Sequence, residues 1–376
     1  MTPAATVPLS VLDLVPTTAD TTAAAALREV TALARAAEEL DFGRFWVTEF
    51  HGSPITANAS PPVLLAHIAA ATTRIRVGSG AMLLPYHRPL LLAEQFGTLA
   101  ALHPGRVDLG IGRGSGAGRE TARLLGVGDA PPTPYADRVR QLLDHLAGRA
   151  STDGGTPVRV PGDPGGAPVP VYLLGSHVES AELAGRNGLP YVVGHHLAPD
   201  RGVDAVAAYR AAFRASPSAA RPHTVVCVQV VCGETDDHAR ALLRPIVVAG
   251  AQKGRGEPVV MPSVEQASAL PWTEDEAAVV DALCGAQAVG SPATVADRLA
   301  EIVARLAPDE IMVTASVPGA PDRIRSLERL RSVVDPGVID SPRSVNGARH
   351  CGHVGPGTGV DLGSSEQGEA RVRTSA

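Results

Sequence analysis

Short apolar, β-branched runs alternate with longer helix-compatible stretches along most of this chain, the rhythm of βαβ units around a parallel sheet. The strand candidates are residues 9–15, 44–49, 75–83, 106–111, 169–174, 191–194, 224–231 and 310–315. Helix candidates fall at 22–40, 62–72, 90–102, 135–146, 179–188, 203–215, 236–248, 292–306 and 323–333, many of them ending at Gly or before Pro. Eight parallel strands, each followed by a helix, close a barrel. The predicted fold class is therefore α/β, a (β/α)8 TIM barrel. Such a barrel needs about 250 residues before insertions, and the chain has 376.

Two stretches interrupt the rhythm. Residues 151–167 are Gly/Pro-rich and read as a loop or hairpin. Residues 250–288 form an insertion that extends the connection before the last strand, with an acidic helix near 273–283; Ser291 is placed to cap the next helix. From Asp335 onward Gly, Ser, Pro and Arg rise and apolar periodicity vanishes. The barrel domain is thus expected over 1–334 and a disordered tail over 335–376.

Composition narrows the function. A net charge of −6 supplies no dense basic face, so neither nucleic acid nor an anionic membrane is an expected partner. The 33 Lys+Arg include a single lysine, Lys253, between Gln252 and Gly254; no G-x-x-x-x-G-K-[ST] phosphate loop exists, and lysine chemistry has one candidate. No G-x-S-x-G elbow supports a serine hydrolase. Of the four cysteines, Cys227 and Cys232 lie an odd number of residues apart in a strand-like run, which turns them to opposite faces and argues against a disulfide. The N-terminal segment lacks a signal-type pattern and no run of eighteen apolar residues occurs, so a cytoplasmic protein is expected.

In a parallel barrel, chemistry sits at the C-terminal strand ends. Here these ends are polar: Thr48-Glu49-Phe50-His51 after strand two, Gly78-Ser79-Gly80-Ala81 in strand three, Gly110 to Gly116 around Arg113 and Ser115 after strand four, Gly175-Ser176-His177 after strand five and Gly194-His195-His196 after strand six. Alternating glycines beside the Arg113 guanidinium suit a phosphate, though a flexible loop with a solvated arginine fits the same pattern. Gly175-Ser176-His177 opens a helix, where free N–H groups attract anions; simple capping by Ser176 explains it equally well. Glu49 reads as a buried acid or base, or as a partner of Arg44, Arg76 or Arg113. His51, His177, His195 and His196 offer metal ligands without an H-E-x-x-H spacing, and adjacent strand residues point oppositely; no metal is expected. His67 and His145, within helical patterns, read as structural.

The segments LSVLDLVP at 9–16, FWVTEFH at 45–51, TTRIRVGSGAMLLPYHRPLLLAEQFGTLAALHPGRVDLGIGRG at 72–114, VYLLGSHVESAELAGRNGLPYVVGHH at 171–196 and VGSPATVADRL at 289–299 together resemble the bacterial luciferase-like, flavin-dependent monooxygenases, particularly their antibiotic-biosynthesis branch. The resemblance spans roughly residues 7–334. It implies a luciferase-like TIM barrel that takes reduced FMN from a separate reductase, activates O₂ and oxygenates a small organic substrate, possibly a secondary-metabolite intermediate. A homodimer is implied as well. Related barrels bind deazaflavin F420, so an F420-dependent oxidoreductase is the alternative enzyme. A non-catalytic flavin-binding protein is the alternative outside catalysis.

Residue by residue, the resemblance places Gly80 and Ala81 at a non-prolyl cis peptide beside the flavin ring and Arg113 at the phosphate. Ser176, His177 and Ser180 match the second phosphate segment, and Gly194 and His195 line the flavin. Ser115 and Gly175 join the cofactor-binding set, while Glu49, His51 and His195 form the catalytic set. Two departures stand out. The usual Glu-His-His reads Glu49-Phe50-His51, which replaces one histidine by a residue unable to transfer protons. His177 stands where the branch usually has serine. Substrate fit is assigned to the loops at 52–61 and 250–288, with Phe50, Trp46, Tyr86 and Trp272 as contributing aromatics.

Overall fold

The computed structural model describes residues 7–114, 117–127, 133–161, 169–217 and 219–334. The predicted tail at 335–376 and Ser115 lie outside the described residues. The strands are β1 (Leu9–Asp13), β2 (Arg44–Val47), β3 (Arg76–Ser79), β4 (Met82–Leu83), β5 (Val107–Gly112), β6 (Val171–Gly175), β7 (Tyr191–Gly194), β8 (Thr224–Cys232), β9 (Ala288–Gly290) and β10 (Glu310–Thr314). Every pairing between them is parallel, in the order β10-β1-β2-β3-β5-β6-β7-β8, and β10 pairs back to β8 to close the ring. This closed path of eight is the predicted (β/α)8 barrel. The short β4 and β9 extend it by pairing with β5 and β8.

Around the ring run α1 (Ala23–Glu39), α2 (Pro61–Ala71), α3 (Pro89–Leu102), α4 (Arg119–Leu124), α5 (Tyr135–Leu146), α6 (Val178–Arg186), α7 (Gly202–Ala212), α8 (Asp236–Gly254), α9 (Val264–Ala269), α10 (Glu274–Ala286), α11 (Pro292–Leu306) and α12 (Ala320–Val333). Helices α1, α8, α9, α10 and α11 start on a Thr or Ser whose side chain caps the first turn. Thr22 accepts from the Ala25 N–H, and α1 buries Ala26, Val30, Leu33, Ala34 and Ala37 as one stripe. Ser291 caps α11 as expected, with Pro292 in its first turn. Sequence reading missed α4, α9 and β9, which are too short to show a period. It also read 75–83 as one strand; the run breaks between Ser79 and Met82, where the Gly80–Ala81 peptide is cis. In the 151–167 stretch, Ser151 and Pro157 form an antiparallel bridge.

Period-two alternation divides the strand residues. Outward-facing Val11, Phe45, Val77, Leu109, Leu173, Val193, Val228 and Ile311 join the helices in the main core. Leu12, Trp46, Tyr172, Val192, Val225, Cys227 and Met312 pack inside the ring. Cys227 thus faces inward and Cys232 outward, as the odd spacing requires. Trp46 fills the interior because Gly78 leaves room for it: a Cβ on Gly78 would lie 2.5 Å from the indole Nε1. Below this layer, at the N-terminal strand ends, sits a charged one. Asp108, fully buried, accepts from Arg44 Nη1 at 2.7 Å, Arg76 Nε at 3.1 Å and Trp46 Nε1 at 3.2 Å, while Glu310 accepts from Arg44 Nε and from Ser10.

The insertion before the last strand is anchored by one buried side chain. Arg244 of α8 donates to the carbonyls of Ala267 at 2.6 Å, Leu270 at 2.7 Å and Pro271 at 2.6 Å, and its guanidinium lies 4.2 Å over the Trp272 ring. Glu276 Oε2 completes the pocket at 3.2 Å. Arg244→Met should therefore leave buried carbonyls without donors and cost about 2 kcal/mol. The check is hydrogen exchange across residues 264–286, which should accelerate there while the barrel strands keep their protection. No helix among the described residues is long and apolar enough to cross a membrane.

Candidate active site

Glu49 follows β2 and is fully buried as a side chain. Its Oε1 lies 2.8 Å from His51 Nε2 and 2.7 Å from His87 Nε2, and its Oε2 accepts the Leu83 N–H at 2.6 Å. Burial alone would raise this carboxyl, but the hydrogen bond and charge of His87, the Leu83 N–H and His51 outweigh it and hold Glu49 below the usual carboxylate range. The surroundings fix the cluster: Asn58 Nδ2 donates to the Thr48 carbonyl at 2.6 Å, Arg138 Nη1 donates to the His87 carbonyl at 3.1 Å, and Tyr86 meets the His51 ring edge to face. An anion shared by two imidazoles is a device for holding and moving a proton.

Sequence reading found Glu49 and His51 but not His87, whose only signal was its place after strand three, on the face where loops carry chemistry. Of the readings left open for Glu49, pairing with Arg44 or Arg76 does not occur. Arg44 opens β2 and Glu49 follows its end, a separation of roughly 16 Å along a strand; both arginines serve Asp108 instead.

Strand register places the remaining residues around the same rim. Leu83 of β4 pairs with Gly112 of β5, and Gly112 with Leu174 of β6, so Arg113 and Gly175 emerge side by side. Arg113 is exposed and close enough to Tyr135 to act on its hydroxyl electrostatically. Ser176 Oγ donates to the Gly194 carbonyl at 3.2 Å, which ties the ends of β6 and β7 together. His177 is the N-cap residue of α6, contacts Arg201 through Nε2, and leaves α6 without a side-chain cap. Ser180 Oγ donates to the His177 carbonyl at 2.7 Å and lies 3.0 Å from the Tyr191 hydroxyl. A Cβ on Gly175 would lie 2.2 Å from Ser180 Oγ, so this turn requires glycine.

His195 lies beneath the rim. Its ring is fully enclosed, with Nε2 at 3.1 Å from the Ala286 carbonyl at the end of α10, and burial pushes its pKa down. Its Nδ1 is buried without a hydrogen-bond partner among the described residues. His196 bonds the Cys227 carbonyl through Nδ1 at 3.2 Å and is pushed down to about 4 by burial. Of the four histidines considered as ligands, His51 alone joins a cluster, with Glu49 and His87. Phe50, between Glu49 and His51, lines a cavity of about 60 Å³ with Leu14, Pro16, Ile55, Ile246 and Met261. Trp46 lies in the barrel interior and Trp272 against Arg244, so neither lines it.

Residues 7–310 match the protein family described as luciferase-like monooxygenase. The chain belongs to this family. A luciferase-like monooxygenase of Escherichia coli K12 is 35% identical over 327 residues, covering 86% of this chain and 96% of the relative. The crystal structure of apo-MsnO8 superposes with a TM-score of 0.77 at 34% identity, covering 88% of this chain and 98% of that one. Two more distant structures share the luciferase-like fold. They are the oxygenating constituent of Pseudomonas putida 3,6-diketocamphane monooxygenase in complex with FMN (TM-score 0.65, 20% identity, 89% and 99% covered) and the coenzyme F420-dependent tetrahydromethanopterin reductase of Methanopyrus kandleri (0.63, 17%, 89% and 100%). As a family member the chain is an oxidoreductase of the flavin-dependent monooxygenase class.

Proposed function

We propose that the protein is a two-component monooxygenase that binds reduced FMN delivered by a separate reductase, consumes O₂ and oxygenates a small organic substrate with an apolar portion. The observation that carries this reading is the division of one rim into two chemistries. An anion-seeking edge is formed by Arg113, one strand spacing from the Gly80–Ala81 turn and the Leu83 N–H, and by the uncapped start of α6 with Ser176, His177 and Ser180, two spacings from them. Two spacings are roughly 10 Å, a reach that the ribityl chain of FMN spans between phosphate and ring. The residues therefore fit the cofactor: Arg113, Ser176, His177 and Ser180 at the phosphate, Gly80, Ala81 and Gly194 beside the ring. Bound there, the flavin supplies the two-electron chemistry with O₂.

The protein's own residues divide the remaining work. Glu49 Oε1, with His51 and His87, holds and moves a proton beside the ring. Phe50 and the apolar cavity receive the substrate's apolar part and exclude water from it. Phe50 in place of a histidine does not by itself favour a non-catalytic protein, because His87 keeps two imidazoles on Glu49. A homodimer, a cytoplasmic setting and a secondary-metabolite substrate complete the proposal.

Anaerobic titration with reduced FMN followed by mixing with oxygenated buffer tests it. Bound reduced flavin should oxidise more slowly than free flavin. Arg113→Ala should raise the Kd for reduced FMN about 10- to 100-fold through loss of a charge-assisted contact. If reduced FMN does not bind while F420 does, and hydride transfer proceeds without O₂ uptake, the F420 reading replaces this one.

A further inference from the structure

We propose that Glu49, His51 and His87 form a binding site for a divalent transition-metal ion of the Zn²⁺, Co²⁺ or Ni²⁺ kind, with one carboxylate oxygen and two imidazole Nε2 atoms as ligands. The three donor atoms all lie within 4.8 Å of one another. Around a tetrahedral ion bound at about 2.0–2.2 Å, donor atoms stand roughly 3.3 Å apart. The two measured separations from Oε1 are 2.8 and 2.7 Å, so an ion enters with an opening of about half an ångström, each imidazole proton moving from Nε2 to Nδ1. Two imidazoles and one carboxylate select borderline ions over Mg²⁺ or Ca²⁺, which prefer all-oxygen shells.

Two contacts steady the cluster. Leu83 N–H pins Oε2 and leaves Oε1 to the ion, and Arg138 holds the His87 backbone. The side chain of Glu49 is closed to solvent while those of His51 and His87 are 13% and 21% exposed, so the ion approaches from the histidine side and keeps a fourth position for water. Three protein ligands with one open position is the donor count of an exchangeable site rather than a sealed structural one. Resting on the reading of this cluster as the proton-handling group, a bound ion takes up the Nε2 lone pairs and Oε1 together and halts turnover. Metal binding itself does not depend on that reading.

The test uses the full chain, stripped with EDTA and free of flavin, titrated with CoCl₂ while visible d–d absorption is recorded. The expected result is one tetrahedral-type Co²⁺ per chain, displaced by ZnCl₂. His87→Gln and His51→Gln should each weaken Co²⁺ binding at least 10-fold, with circular dichroism unchanged, whereas His145→Gln should leave it as in the parent. Absence of the Co²⁺ bands at millimolar metal, or binding that survives both histidine substitutions, overturns the site. Reduced FMN titration of the same metal-free protein is read separately: retained flavin binding with no Co²⁺ uptake overturns the metal site alone, and Co²⁺ uptake without flavin binding overturns the flavin reading alone.

Discussion

Glu49→Gln should lower the turnover number for oxygenation by about 10²- to 10⁴-fold, the usual range for loss of a positioned acid/base group, with little change in reduced-FMN affinity. The amide has the volume of the carboxylate, so the buried site keeps its packing. It cannot supply the charge that His51 and His87 share at Oε1, and its NH₂ group opposes either their N–H donors or the Leu83 N–H. The pH profile carries the second signature. Because Glu49 is held below the ordinary carboxylate range, its anionic function is complete above that range and is lost as pH falls through the lowered value. The acid limb of the parent enzyme should therefore lie below the ordinary carboxylate range, and Glu49→Gln should abolish it. Stopped-flow turnover from pH 3 to 9 reads both effects; a variant within threefold of the parent would remove Glu49 from the proton pathway.

Asp108→Ala should produce the largest loss of stability, about 4 kcal/mol, because it leaves two arginines at the N-terminal end of the barrel without their shared anion. Asp108 is fully buried and accepts from Arg44, Arg76 and the Trp46 indole at once. Glu310 remains but is already engaged by Arg44, Ser10 and His223. Urea unfolding followed by far-UV circular dichroism measures the change, and a shift under 1 kcal/mol would contradict the account. Acid should mimic part of it. Burial acts to raise Glu310, yet His223, Arg44 and Ser10 outweigh it and lower its pKa, so its contribution is present above the ordinary carboxylate value of about 4.3 and is lost as pH drops through the lowered one.

The contrast between these two layers explains what was legible in the sequence. Strand periodicity and βα alternation depend on neighbours in the chain, so the eight-stranded ring could be read directly. Glu49 and His51 were visible for the same reason, being two residues apart at a strand end. His87 was not, because its partnership depends on the loop after β3 folding back over the end of β2. His195 lies deeper than its position suggests, because a strand end fixes where a residue emerges but not which way its ring turns; Gln287, which donates to its carbonyl at 3.2 Å, and Ala286 at the end of α10 draw it into the wall. Whether Glu49 was an acid or base or a partner of Arg44, Arg76 or Arg113 stayed open for want of a third coordinate: Arg44 and Arg76 occupy the opposite mouth of the barrel from Glu49. Arg244 gave no signal, since its acceptors lie 23 to 32 residues away and three of them are backbone carbonyls.

Glu49 and His51 bond one another while Phe50, the residue between them, belongs to the apolar cavity. Two tasks are thus interleaved on three consecutive positions. A change at position 50 can reshape what the cavity admits while the flanking pair keeps its hydrogen bond, and a change at 49 or 51 can retune the chemistry without moving the wall. Selection, natural or in the laboratory, can therefore broaden the range of accepted molecules one codon at a time without first dismantling the reaction.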